Sequence, residues 1–227
     1  MWQLGRLSLN SRLLVSSDAF TDVESLSNAH QNCSPDIAIA PVRPTHPEFG
    51  ALDDVWNKIR TTELHIIPST SGCFTPEDAI TTAQFAAQRL ETPWLVLQIT
   101  GCAKTLFPDA EGTIEGAREL VRSGFSVIPV CTDDPVLCQR MADIGCKAIM
   151  PLVSPTPHRC GFENIERIRL IRQAVNIPLI LAGAMQTASD VVIALELGSE
   201  TREVQVRRVG KLLHAGNDEK REHCTHE

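Results

Sequence analysis

Seven short runs rich in valine, isoleucine and leucine recur along the chain, and amphipathic stretches lie between the later ones. The runs are 12–17, 36–43, 64–70, 94–100, 126–132, 148–154 and 178–184. Runs that are apolar at nearly every position, rather than at alternate positions, are typical of strands buried on both faces of a parallel sheet. The pattern therefore predicts seven parallel strands covered by helices.

Four of the intervening stretches carry helix signals, and they span 75–90, 111–124, 134–145 and 163–176. The first opens on Thr75 with Pro76 at its first helical position, which is a strong start signal. The second and third end on a glycine, where we expect a left-handed backbone conformation. The fourth has apolar residues at every third or fourth position, which places them on one face. Strands that alternate with helices, several of them spaced about 25–30 residues apart, predict an α/β fold of the (β/α)₈ TIM-type barrel class rather than an open sheet.

The pattern weakens where an eighth unit should stand. From residue 200 to 227, twelve of 28 residues are charged. The segment 201–209 alternates, but its arginines favour a half-exposed edge strand over a buried barrel strand. We therefore expect a barrel over 1–199 that is incomplete at the eighth unit, followed by a polar, divergent tail over 200–227. An open barrel would leave its first and seventh strands unpaired on one side, which predicts self-association or a required partner.

Composition and charge exclude several classes of protein. Apolar residues make up 43% and charged residues 22% of the chain, as in ordinary globular domains. The net charge of −7 argues against a partner held by phosphate neutralisation, so we expect no nucleic acid. No apolar run approaches the roughly 20 residues of a membrane span, and the polar start is unlike a secretory signal. We expect no membrane association and a cytoplasmic location, with a plastid as the alternative in a eukaryote.

The eight cysteines lack the close C-x₂-C or C-x₄-C pairing of metal sites. They favour buried, reduced thiols over zinc ligands, so we expect neither a metal nor another cofactor.

In a parallel barrel, chemistry sits at the carboxyl ends of the strands. Glycines and small residues follow several of the runs and suit a phosphate site, but they are also ordinary turn formers. Polar residues near these ends have two interpretations each. Lys104 is either a nucleophile or a solvated loop lysine, and Asp133 and Asp134 are either paired carboxylates or, for Asp134, a helix cap. The remaining candidates are an anion-binding pair, His158 with Arg159, and three tail histidines that we expect to be solvated, His214, His223 and His226.

Several segments strongly resemble bacterial and plastid thiazole synthase, which makes the thiazole phosphate half of thiamine. The resemblance covers about residues 2–200. The segments that carry it include IIPSTSGCFTPEDAI (66–80), and its specific block is VIPVCTDDPVLCQRMADIGCKAIMPL (127–152). It implies a (β/α)₈ barrel that uses 1-deoxyxylulose 5-phosphate, dehydroglycine and a sulfur-carrier protein ending in a thiocarboxylate. In that family a lysine on the fourth strand forms an imine, or Schiff base, with the ketose, and nearby carboxylates assist.

The catalytic positions depart from the family pattern. The family's W-x-K-L-E-V-I-G is WLVLQITG here, so the lysine position is Val96 and the carboxylate position is Gln98. The family's V-D-A-G-I-G is LAGAMQ, so its aspartate position is Ala182. Valine has no lone pair to attack a carbonyl, and an amide is not a carboxylate base.

The phosphate-binding positions also differ. The family's S-P-I-G-S-G-Q-G is SPTPHRCG here, and Pro157 replaces a glycine, which removes a backbone N–H donor. Gly183 and Ala184 are the other two phosphate-binding positions, and the family's N-terminal G-T-G-K-Y and eighth-strand L-N-T have no counterparts here.

These departures predict a thiazole synthase homologue that is catalytically impaired or silent, a pseudoenzyme whose binding of 1-deoxyxylulose 5-phosphate is weak or lost. Three alternatives remain open at this point. The chain is a non-catalytic partner of the sulfur carrier or of an active synthase subunit, with homo- or hetero-oligomers possible; it is a non-functional truncated product; or it is an active enzyme with a relocated nucleophile.

Overall fold

Eight parallel strands and five helices follow an N-terminal hairpin in the computed structural model, which describes residues 1–16, 34–42, 64–154, 161–183, 188–197 and 201–204. The hairpin strands are β1 (Trp2–Leu4) and β2 (Leu7–Leu9). The barrel strands are β3 (Leu13–Ser16), β4 (Ile37–Pro41), β5 (His65–Ser69), β6 (Trp94–Leu97), β7 (Ser126–Cys131), β8 (Met150–Pro151), β9 (Ile180–Leu181) and β10 (Thr201–Val204). The helices are α1 (Pro76–Leu90), α2 (Ala110–Arg122), α3 (Pro135–Ile144), α4 (Ile165–Ala174) and α5 (Ala188–Glu196).

The sheet closes on itself. Its strand order is β8-β7-β6-β5-β4-β3-β10-β9, and the two ends of this order meet. Ile180 N–H donates to the Ile149 carbonyl at 2.8 Å, and Val153 N–H donates to the Ala182 carbonyl at 2.8 Å. Both contacts join the β8 and β9 segments in parallel. The predicted TIM-type parallel barrel is confirmed, and all seven predicted strands are present.

The eighth strand corrects one part of the prediction. The backbone of β10 pairs in parallel with β3 on one side and β9 on the other, with Arg202 opposite both Leu13 and Leu181. It is therefore not an edge strand, and the first and seventh barrel strands both have partners. The expected self-association, which rested on open edges, loses that basis. Because β10 lies beyond residue 199, the barrel backbone extends to at least Val204, while the predicted tail from 205 onward lies outside the described residues.

The four predicted helices form close to their predicted bounds because their end signals operate as expected. The Thr75 side chain caps α1 by accepting a hydrogen bond from Asp78 N–H. Gly145 ends α3 in the left-handed region, with φ at 103°. In α4, Ile168 and Ile171 are buried on the face that was predicted to be apolar. Among the described residues, none of the helices has the length and apolar character that a membrane crossing requires.

Alternate strand residues pack on opposite faces of the barrel wall. The main cluster facing the helices includes Leu95, Leu97 and Ile99. Those facing the barrel interior form another, which includes Val96 and Ile128. Three hairpin side chains belong to the interior cluster: Trp2, Leu4 and Leu9. Since the hairpin packs on the interior from the amino-terminal end, we place ligand access at the carboxyl end.

The closed topology predicts that proline is damaging in β10. Arg202→Pro removes a ladder N–H from a strand with neighbours on both sides, and it should lower the free energy of unfolding by about 1–3 kcal/mol. Arg202→Ala is the matched control, because it changes the side chain and keeps the N–H. Guanidinium unfolding measures both. Equal stabilities for the two variants would contradict a two-sided eighth strand, since proline is tolerated on edges.

Candidate site at the carboxyl end of the barrel

Val96 lies inside the barrel on the fourth of its strands. Its flanking residues Leu95 and Leu97 face the helices, so the Val96 side chain faces the interior. It is 2% exposed, and it packs in the same cluster as Ile67 and Ile128. The position predicted for the family's lysine is therefore buried among apolar side chains of the barrel interior.

Gln98 lies on the same side of the chain, one step nearer the mouth. Leu97 and Ile99 both face the helices, so the residue between them faces inward. Thr70 fixes its backbone, because the Thr70 hydroxyl accepts from Gln98 N–H at 2.9 Å and donates to the Gln98 carbonyl at 2.9 Å. The half-buried carboxamide of Gln98 makes no hydrogen bond to any residue that the structure describes.

Ala182 also faces the interior, at the end of β9, and it is 1% exposed. Val96, Gln98 and Ala182 therefore share the inner surface of the barrel, as expected for one site. None of these three side chains ionises. Their catalytic roles, as positions of a lost lysine and two lost carboxylates, stay predictions.

Gly183 makes a close contact between two strand ends. Its φ is 114°, and a Cβ built on it would lie 2.6 Å from the Ser154 carbonyl oxygen. Only glycine fits there, so the approach of the two strand ends is enough to account for a glycine at this position. Pro157 and Ala184, the other two predicted phosphate positions, lie outside the described residues.

The sequence analysis did not identify Ser154 as a candidate site residue. It is 2% exposed at the carboxyl end of β8, and its Oγ has no hydrogen-bond partner. Buried hydroxyls nearly always have a partner, so this one requires an explanation. A serine before a proline in a turn is too common in sequences to have singled it out.

For the other polar candidates that the structure describes, the structural alternative is the one observed. Lys104 is exposed in the loop that follows β6. Asp134 caps α3, accepting from Val136 N–H at 2.8 Å, and Asp133 forms an ion pair with Arg167 at 3.1 Å. His158, Arg159 and the three tail histidines lie outside the described residues.

Most of the described cysteines are buried and free, as expected for reduced thiols. Burial raises the pKa of Cys146 to about 12. The contact with Cys138, 3.7 Å between sulfur atoms, and burial together hold the pKa of Cys131 well above its usual range. Cys102 is exposed, and hydrogen bonds with Thr105 lower its pKa. Within the described ranges no three His, Cys, Asp or Glu side chains are placed to hold a metal ion.

Two loops at the mouth are joined and expose large apolar side chains. Thr100 N–H donates to the Cys73 carbonyl at 2.9 Å and joins the loop after β6 to the loop after β5. Within the loop after β6, Gly101 N–H donates to the Phe107 carbonyl at 2.9 Å. The exposed side chains that these loops carry are Phe74 at 50%, Leu106 at 39% and Phe107 at 39%. Leu106 holds a φ of 56°, which is unusual for a bulky residue. This apolar rim, defined as Phe74, Leu106 and Phe107, was not predicted.

Comparisons with known proteins agree with the resemblance read from the sequence. The family model described as thiazole biosynthesis protein ThiG matches residues 3–205. A thiazole synthase from Sorangium cellulosum is 34% identical over 197 residues, which cover 87% of this chain and 76% of that protein. Another, from Geotalea uraniireducens, is 36% identical over 189 residues, covering 83% of this chain and 73% of the relative.

Solved structures support the fold. The BexX/CysO complex from Amycolatopsis orientalis gives a TM-score of 0.77 at 22% identity, covering 97% of this chain and 98% of that chain. The N-acetylmannosamine-6-phosphate 2-epimerase from Clostridium perfringens gives 0.57 at 16% identity, with 90% and 92% covered. At these identities the likeness establishes the barrel alone.

The contact at Gly183 predicts a large difference between two glycine substitutions. Gly124→Ala places a side chain at φ 90° with nothing within 4 Å, so we expect a cost of about 1–3 kcal/mol from backbone strain alone. Gly183→Ala should cost clearly more, because its Cβ also meets the Ser154 carbonyl. Urea unfolding of the two variants checks the order. A Gly183→Ala protein as stable as Gly124→Ala would show that the strand ends separate readily.

Proposed function

The chain belongs to the thiazole synthase family of thiamine biosynthesis, and we propose that its barrel no longer forms the imine that begins the family's reaction. The observation that carries this proposal is the buried Val96 side chain inside the barrel. An imine forms when a neutral amine attacks the ketone carbon and the resulting carbinolamine loses water. Val96 offers no nucleophilic atom at the position where the resemblance places that amine.

The other described amines do not substitute for it by position. The described chain contains two lysines, Lys104 in the loop after β6 and Lys147 just before β8, and both are exposed. Lys147 lies at the amino-terminal end, opposite the mouth. Lys104 is at the correct end, but it is exposed on the loop after β6 and does not lie on the barrel interior where the resemblance places the amine.

The assisting groups are also absent from the positions that the resemblance assigns to them. Gln98 cannot accept a proton as a carboxylate does, and Ala182 has no polar atom. General acid–base assistance contributes about 10²–10⁴-fold to a typical enzyme rate, so restoring the amine alone leaves a slow enzyme. The proposal therefore treats the three replacements as one loss.

A role in protein binding is compatible with this loss. The apolar rim at the mouth is the kind of exposed patch that marks a protein contact. By the family resemblance the partner is a sulfur-carrier protein, and we propose that it docks on this rim. A cytoplasmic location, which such a partner requires in bacteria, stays a prediction.

Borohydride trapping tests the loss of imine chemistry. Incubation with 1-deoxyxylulose 5-phosphate and sodium borohydride should leave the intact mass of the wild-type chain unchanged, because no amine forms a reducible adduct. The variant carrying Val96→Lys, Gln98→Glu and Ala182→Asp should gain one reduced sugar phosphate at residue 96, since a buried lysine has a lowered pKa.

Lys104→Met is the control for a relocated nucleophile. An adduct on the wild-type chain that disappears in Lys104→Met would overturn the proposal in favour of an active enzyme. A reconstituted assay should likewise yield no thiazole phosphate from the wild-type chain.

Charge placed on the apolar rim tests the docking proposal. Phe74→Asp and Phe107→Asp should each weaken binding of a purified thiamine sulfur-carrier protein by at least about 2 kcal/mol, as for central aromatic contacts. Leu170→Asp, at a 46% exposed position on α4, is the matched control. Surface plasmon resonance compares the three. Equal affinities for rim and control variants would place the carrier elsewhere.

A further inference from the structure

A groove on the outer surface of the barrel separates α2 from α3. Its volume is about 600 Å³, which is within the range of small-molecule sites. It extends to Arg122 and Ile144, the last residues of the two helices. Because each helix leads from the carboxyl end of one strand to the amino end of the next, this part of the groove lies away from the mouth and from the apolar rim.

Three exposed arginines line this α2–α3 groove from both sides. Arg118 and Arg122 lie one turn apart on α2, and Arg140 lies on α3. None of the three forms an ion pair with a residue that the structure describes. Asp143 is the single carboxylate among the described lining residues, and it accepts a hydrogen bond from Gln139 Nε2 at 2.8 Å. Three guanidinium groups against one carboxylate give the lining a net charge of +2, on a chain whose net charge is −7.

Helix stability accounts for only one of these arginines. A cation in the last turn of a helix is stabilised by the helix dipole. Arg122 is in the last turn of α2, whereas Arg118 and Arg140 lie outside the last turns of their helices. Cations that share one groove repel one another, and a bound anion removes that repulsion.

The floor of the groove is apolar. Ile114, Val121 and Ile144 line it, and each is partly buried against the cluster that faces the helices. A Cβ built on Gly145 would lie 3.4 Å from Val121 Cγ1, so the end of α3 packs directly on α2. An inorganic anion would leave this apolar surface in contact with water, whereas a ligand with an apolar body covers it.

We propose that the α2–α3 groove binds a small phosphate monoester that carries an apolar body. Such a group has a charge of about −1.5 to −2 at pH 7, which matches the net charge of +2 on the lining. Its three terminal oxygens can accept from guanidinium groups on both helices at once, whereas a carboxylate is filled by one bidentate arginine. The site is separate from the barrel interior, and it does not depend on the imine chemistry.

Calorimetric titration of the whole chain tests the ligand class with three probes: phenyl phosphate, inorganic phosphate and benzoate. Phenyl phosphate should bind at least about 10-fold more tightly than either of the others, because inorganic phosphate lacks the apolar body and benzoate lacks the second charge. Added sodium chloride should weaken the binding, since salt screens exposed charges.

Arginine substitutions test whether the phosphate binds in the groove. Arg118→Gln and Arg140→Gln should each raise the dissociation constant for phenyl phosphate about 3- to 10-fold, because each removes a charge-assisted hydrogen bond. Arg169→Gln is the matched control, because it changes an exposed arginine of α4 that pairs with Glu166 at 3.2 Å. It should bind phenyl phosphate as the wild type does. All three variants change exposed side chains, so we expect melting temperatures close to that of the wild type.

A change in the floor tests the apolar body. Val121→Thr keeps the shape of the side chain and replaces a methyl group with a hydroxyl. It should raise the dissociation constant for phenyl phosphate about 2- to 5-fold and leave that for inorganic phosphate unchanged.

Three outcomes would overturn the proposal. Unchanged affinity in both arginine variants would place phenyl phosphate elsewhere on the chain, including the mouth. Equal affinities for phenyl phosphate and inorganic phosphate would show that no apolar body is recognised, and an absence of measurable phenyl phosphate binding would exclude the site altogether. Each result leaves the proposal on imine chemistry intact, because that proposal fails only if borohydride traps an adduct.

Discussion

Closure of the parallel sheet is the constraint on which the rest of this structure depends. Each barrel strand must pair on both sides. An unpaired row of backbone N–H and C=O groups destabilises the fold when it is buried, and it promotes aggregation when it is exposed. The backbone of β10 meets this demand between β3 and β9 although its sequence is rich in charge. Backbone pairing does not depend on side-chain polarity, so a polar segment can close a barrel that apolar segments began.

Closure also divides the strand residues that stabilise the fold from those that line the barrel mouth. The cluster between strands and helices is built from residues such as Leu97 and Ile99, whereas the mouth takes its properties from inward residues such as Val96 and Gln98. A buried lysine or carboxylate costs free energy, so uncharged replacements at the mouth are neutral or stabilising for the fold. A barrel of this kind can therefore persist without charged groups at its mouth. This is why the fold and the family are clear here while catalysis is not implied by either.

Most of the fold could be predicted because its signals are local. Continuous apolar runs gave the seven strands, and caps such as Thr75 and Gly145 gave the helix ends. The eighth strand was misjudged because the criterion for a buried strand is an apolar run, and 201–204 does not provide one. Ser154 was missed for a different reason, since an unpaired hydroxyl is a property of the folded surroundings and not of the residue type.

Ser154 shows how closure fixes a polar group at the mouth. Its Oγ is buried without a hydrogen-bond partner, and such a group costs about 1–3 kcal/mol. The backbone around it is nevertheless packed closely, because a Cβ at Gly183 would lie 2.6 Å from the Ser154 carbonyl oxygen and only glycine leaves that space free. The position of this hydroxyl is therefore set by the approach of two strand ends in the closed sheet and not by a hydrogen bond of its own.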